Sequence, residues 1–164
     1  MARARSRAAL KHPYDLDTAI GFWLHLVHHK VRATAERELA PFGVTPEQWA
    51  ILVRLWQSDE ISQAELVGAT FRDKPSVSRL LDGLEAAGYV ARARNPDDRR
   101  SHRIILTARG RALEAKLVPR MRAFIGRWTR DVSPRDLETT VRTLRALYAA
   151  LDPAAAREKV VDAT

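Results

Sequence analysis

The run Asp73-Lys74-Pro75-Ser76-Val77-Ser78-Arg79-Leu80-Leu81-Asp82-Gly83-Leu84-Glu85-Ala86-Ala87-Gly88 carries both its own start and its own stop. Asp73 can accept hydrogen bonds from the free N–H groups of a first helical turn. Pro75 sits where a missing N–H costs nothing, and Gly88 is the residue that a helix C-terminus favours. Val77, Leu80, Leu81, Leu84 and Ala87 recur at the spacing of one helical face, so the pattern predicts a helix buried along one side.

At 100° per residue, Pro75, Arg79, Asp82 and Ala86 point away from that stripe, with Lys74, Ser76 and Ser78 on its flanks. This outward face is small, hydroxyl-bearing and basic near its N-terminus. It suits a helix lying in the major groove of double-stranded DNA, where Ser, Lys and Arg reach base edges and phosphates. An ordinary solvated helix has a similar composition, so the flanking segments must decide.

Upstream, Leu16, Ile20, Trp23, Leu24, Val27 and Val31 form one stripe of a first helix over 16–40. Ala19, Phe22, Leu26 and Ala33 widen its apolar arc beyond what a single packing surface uses, which points to a second subunit. Pro41-Phe-Gly-Val breaks the chain. Thr45-Pro-Glu-Gln48 then restarts it with a capping-box pattern and Pro at the first helical position, predicting a second helix over 46–57 buried through Trp49, Leu52, Val53 and Trp56. Ser62-Gln-Ala-Glu65 repeats the capping box and opens a short third helix, with Leu66 and Val67 inward, that ends near Ala69. Helix, short turn and capped helix have the order and size of a helix-turn-helix.

Downstream, 89–94 and 101–106 are period-two segments flanking Asn95-Pro-Asp, and read as a β-hairpin. Arg92, Arg94, Arg99, Arg100 and Arg103 crowd into it. An arginine-tipped hairpin beside a helix-turn-helix can enter the minor groove, whose negative potential favours guanidinium groups; a solvated charge run is the plainer alternative. Thr107 can cap the next helix, 108–131, which carries Leu113, Leu117, Met121, Phe124, Ile125 and Trp128 and contains Pro119. Ser133-Pro-Arg-Asp136 caps a last helix, 134–151, striped by Leu137, Val141, Leu144, Tyr148 and Leu151. These helices carry more apolar surface than so small a lobe can cover, which predicts dimerisation.

The totals agree. At 164 residues the chain can bury a real core, and 28 Lys and Arg against 20 Asp and Glu give a net charge of +8. The pI near 10.5 makes a polyanion the first partner to consider. No apolar run is long enough to span a membrane. The absence of cysteine excludes disulfides, thiol redox sensing and Cys-ligated metal, and fits a cytoplasmic location. Residues 1–13 read as a disordered basic arm and 152–164 as a tail.

With the order helix, helix-turn-helix, arginine-rich wing and two long helices, the chain resembles the MarR family of bacterial winged-helix transcription regulators over 14–151. The resemblance is carried by Asp73-Lys-Pro-Ser-Val-Ser-Arg79 and by Asp97-Asp-Arg-Arg-Ser-His-Arg-Ile-Ile-Leu-Thr107. The latter is similar to the family's Asp-x-Arg followed by Leu-Thr, here Asp98, Arg100, Leu106 and Thr107. The resemblance implies a mainly α fold with a small β-hairpin wing: a winged helix-turn-helix DNA-binding lobe, 45–106, plus a helical dimerisation lobe of 16–40, 108–131 and 134–151. It also implies a homodimer on a near-palindromic operator. Lys74, Pro75, Ser76, Ser78 and Arg79 would then face the major groove. Arg100, beside Arg99, would enter the minor groove with Asp98 as its orienting partner.

Many members of that family are repressors released by small aromatic acids. Candidate pocket walls for such an effector are Trp23, His25, His29, Trp49 and Arg54, although tryptophans more often serve a core and histidines a solvated face. The spacing of His25, His28 and His29 does not define a metal site, and no cofactor motif is present. No phosphate loop, nucleophile elbow, paired-carboxylate cleft or Cys nucleophile marks an enzyme. The nearer rival is a sequence-indifferent DNA-architectural protein, which shares the charge and the wing. Two departures from a simple pattern are Pro75, which stiffens the first turn, and Gly83, mid-helix, for which close approach of another backbone is the candidate reason.

Overall fold

A computed structural model describes residues 15–70, 73–94 and 102–151. The helices are α1, Ile20–Leu39; α2, Pro46–Gln57; α3, Gln63–Thr70; α4, Lys74–Ala86; α5, Ala108–Thr129; and α6, Pro134–Leu151. The strands are β1, Ile61–Ser62; β2, Val90–Arg94; and β3, His102–Leu106. This is the mainly helical winged fold expected, with one addition. The wing is a three-stranded antiparallel sheet in the order β1-β3-β2, because Ile61 pairs with Ile104 and Ser62 with Arg103. The hairpin itself runs in the register Val90 to Leu106 through Arg94 to His102.

The chain separates into two compact units after Pro119, which lies inside α5. In the first, α1 begins four residues later than the pattern predicts. The Asp15 carboxylate accepts from Asp17 N–H, and the Asp15 and Leu16 carbonyls accept from the Thr18 and Ala19 amides, so these residues form turns ahead of Ile20. A 3₁₀ turn, Ala40–Phe42, follows α1.

The capping box of α2 is complete: Gln48 N–H donates to Thr45 Oγ1 and Thr45 N–H to Gln48 Oε1. Its buried face is Gln48, Ile51, Leu52 and Leu55 rather than the expected Trp49, Leu52, Val53 and Trp56. The two tryptophans instead pack edge to face on one another, 5.6 Å between centroids, and the Trp56 indole N–H donates to the Gly110 carbonyl at 3.1 Å. The second capping box is also complete, between Ser62 and Glu65. Leu66, Val77, Leu81, Leu84 and Ile104 are buried together with the α2 face as the core of this lobe.

Gly110, in the first turn of α5, is required by contact: a Cβ there would stand 2.0 Å from the Tyr89 carbonyl oxygen. Thr107 caps that turn, accepting from Gly110 N–H at 3.0 Å. Leu113 and Leu117 of α5 are buried in the first unit; in the second, Met121 and Phe124 are buried while Ile125 and Trp128 are exposed. Ser133 caps α6 by accepting from Asp136 N–H at 3.1 Å. No residue of α6 is buried, and Val141, Leu144, Tyr148 and Leu151 stand exposed along one stripe.

Candidate nucleic-acid interface

The candidate reading helix, α4, is held at both ends. At its start Asp73 accepts from Ser76 N–H and from the Ser76 hydroxyl, each at 2.8 Å. These hydrogen bonds hold the Asp73 carboxyl below the usual carboxylate range. At its end Gly88, at φ +73°, donates to the Glu85 carbonyl, and Tyr89 N–H donates to the Leu84 carbonyl. This pairing closes a helix through a left-handed residue, a conformation that costs glycine least.

Between those ends the inner side is pinned by Val77, Leu81 and Leu84. Gln48 crosses from α2, donating to the Leu80 carbonyl at 3.4 Å. A Cβ at Gly83 would lie 2.6 Å from the same amide nitrogen, so the glycine admits a side chain of α2 and not the second backbone that the sequence offered as its reason.

The outer side presents what the sequence placed there. Lys74, Pro75 and Arg79 are exposed, and Ser76 and Ser78 are half-buried on the flanks. Arg79 donates to Ser76 Oγ at 3.4 Å, so Asp73, Ser76 and Arg79 form a ladder along the helix. The Ser76 hydroxyl hydrogen is thereby committed to Asp73, and the oxygen is left as an acceptor. Lys74 has no partner among the described residues, which leaves its ammonium available to a phosphate.

The arginines of the wing divide into separate roles. Arg92 on β2 reaches back to α4, donating to Glu85 and, at 2.5 Å, to Asp82 Oδ1. Its own backbone N–H donates to Glu85 Oε1 at 3.2 Å. Arg103 pairs with Glu60 at 3.5 Å. The undivided positive cluster expected from the sequence is therefore corrected for these two, since both are bound to carboxylates of other segments; Arg94 is exposed at the strand end. Asp98, Arg99 and Arg100 lie outside the described residues.

The candidate effector residues sit on α1 and α2. Trp23 is 50% exposed, its indole N–H donating to the Asp17 carbonyl, and His25 and His29 are exposed. Trp49 is half-buried against Trp56, and Arg54 donates to Gln57 Oε1 at 3.3 Å. None of the five lines the cavity of about 520 Å³ bounded by Pro41, Phe42, Tyr89, Arg109, Ala112, Leu113 and Lys116. Between α1 and α2, Arg32 pairs with Glu47. Burial works to raise the Glu47 carboxyl, but the Arg32 guanidinium, together with hydrogen bonds from the Glu47 backbone N–H and from Thr45, outweighs it and holds the group below the usual range. No cluster of His and acidic residues that could hold a metal ion, and no helix long and apolar enough to cross a membrane, occurs among the described residues.

A capped reading helix set against a second capped helix, with a sheet at its C-terminal end, defines the winged helix-turn-helix class. The MarR family model matches residues 44–102, from the residue before Thr45 to the first residue of β3. Over 107 residues the chain is 35% identical to the HTH-type transcriptional repressor Rv2887 of Mycobacterium tuberculosis, covering 65% of this chain and 77% of that protein. It is 33% identical over 105 residues to the HTH-type transcriptional regulator TtmR of Methylorubrum extorquens, 64% of this chain but only 54% of that protein's length. Among solved structures, the transcriptional repressor CouR bound to a 23-mer DNA duplex is similar at TM-score 0.72 and 29% identity, over 82% of this chain and 94% of that one. BpsR of Bordetella bronchiseptica, whose DNA binding is regulated by 6-hydroxynicotinic acid, is similar at TM-score 0.76 and 25% identity, over 84% and 98%. The chain belongs to the MarR family.

Proposed function

We propose that this chain is a sequence-specific DNA-binding transcription regulator, a repressor that binds a near-palindromic operator as a homodimer and is released by a small aromatic acid. The observation that carries the reading is the two-sidedness of α4. Its inner side is buried, and its outer side offers Lys74, Pro75, Ser76, Ser78 and Arg79 to a groove. In this reading Lys74 and Arg79 meet phosphates or base edges, and the committed hydroxyl of Ser76 accepts from a base amine. Arg99 and Arg100, with Asp98, are proposed as the wing's minor-groove residues, from the sequence alone.

Dimerisation is supported by the exposed stripes on α1 and α6, each of which a second copy is proposed to cover. For the effector, Trp23, His25, His29, Trp49 and Arg54 remain the proposed contacts. A ligand releases DNA only by preferring a dimer whose two α4 helices are mis-spaced for the duplex. The relatives named as repressors, CouR bound to its duplex and BpsR with 6-hydroxynicotinic acid support the reading.

The test is a selection of duplexes from a randomised pool, followed by competition at fixed salt. A selected duplex should bind more tightly than a scrambled one of equal length; equal affinities would favour the architectural alternative.

A further inference from the structure

Asp82 poses a problem for a helix that faces DNA. It lies on the same azimuth as Pro75, Arg79 and Ala86, with 61% of its side chain exposed, and Glu85 stands one turn further on at 39%. Two carboxylates beside a duplex repel its phosphates. The guanidinium of Arg92 bridges both, and is itself only 24% exposed. The planar fork of Arg can serve two carboxylates at once, which the point charge of Lys cannot. The same contact closes a sheet edge: β2 is an outer strand, and Glu85 accepts the Arg92 backbone N–H.

We infer that Arg92 is a positioning residue of the DNA-reading surface, fixing Asp82 and Glu85 and offsetting part of their charge instead of contacting the duplex. The inference rests on the DNA-binding reading above and deepens it. It assigns Arg92 a role opposite to that of a wing cation, because its charge is spent within the protein. Affinity therefore depends on Arg92 through the carboxylates it covers, and the number of phosphates neutralised does not include it.

The experiment compares Arg92→Ala with the triple variant Arg92→Ala/Asp82→Asn/Glu85→Gln on a duplex selected by the unaltered protein. Uncovering two carboxylates should weaken binding by about 3–10-fold at low salt and by less at high salt, where their repulsion of the phosphates is screened. The triple variant, which keeps an amide acceptor at position 85, should recover to within about twofold, because no charge is left to cover. A slope of log affinity against log salt still smaller by about one in the triple variant would mean a direct phosphate contact and overturn the inference. So would a triple variant as weak as the single one.

If the unaltered protein selects no duplex at all, the DNA reading is what fails. Amide exchange in β2 of the free protein then decides the contact itself: faster exchange in Arg92→Ala upholds the bridge between β2 and α4, and unchanged exchange overturns it.

Discussion

Gly110 and Gly83 show what a single missing methyl group admits. At Gly110 the obstruction is a backbone carbonyl, that of Tyr89, which cannot swing aside. Gly110→Ala should therefore cost at least about 2 kcal/mol although alanine is the better helix former. Gly68 in α3 meets nothing within 4 Å, and Gly68→Ala should stabilise by about 0.5–1 kcal/mol. Urea midpoints of the two variants moving in the same direction would refute the pairing. The sequence marks Gly83 as a point of close approach but not its neighbour, and does not mark Gly110, because each requirement joins residues distant along the chain: Gly110 with Tyr89, and Gly83 with Gln48. The same holds for Arg92. Its place among five arginines marked it as a cation of the wing, and only the fold brings Asp82 and Glu85 to it.

Elements whose signals are local are legible in the sequence. The Thr45 and Ser62 capping boxes, the Asp73 cap and the Gly88 stop each lie within a few residues of what they control, and the structure contains all four. The failures are tertiary. Strand β1 is two residues long and exists through its pairing with Ile104 and Arg103. The sequence pattern turns the buried face of α2 toward its bulky tryptophans, whereas the structure turns it toward Gln48, which is polar in any pattern but is buried by its capping bond and its reach to α4. The start of α4 should respond to acid. The Asp73 carboxyl titrates below its ordinary value, so its cap contributes fully above the unfolded-state pKa and is lost as pH falls through the depressed folded value. Amide exchange at Ser76 should accelerate through that window. In Asp73→Asn, which keeps an acceptor but cannot titrate, this acid step should vanish, and its persistence would assign it to another group.

For the molecule as a whole, a charge of +8 sets how its proposed binding depends on salt. Arg79→Ala should lower affinity and reduce the salt slope by about one, the signature of a lost phosphate contact, whereas Arg92→Ala/Asp82→Asn/Glu85→Gln should keep the slope of the unaltered protein. Leu144 lies mid-stripe on α6, so Leu144→Arg should leave a folded single chain in sedimentation velocity; an unchanged mass would remove α6 from the proposed dimer. The tryptophans allow the same assembly to be followed optically. Trp23 and Trp128 are each about half exposed, at 50% and 49%, whereas Trp56 is tied by its indole N–H to the Gly110 carbonyl and packed edge to face on Trp49. If a second copy covers α1 and the end of α5, dilution should red-shift part of the emission and open that part to iodide quenching. The Trp49–Trp56 component would keep its colour. The chain thus carries two intrinsic fluorophore populations, one reporting on its neighbours and the other on its own integrity, with no dye attached.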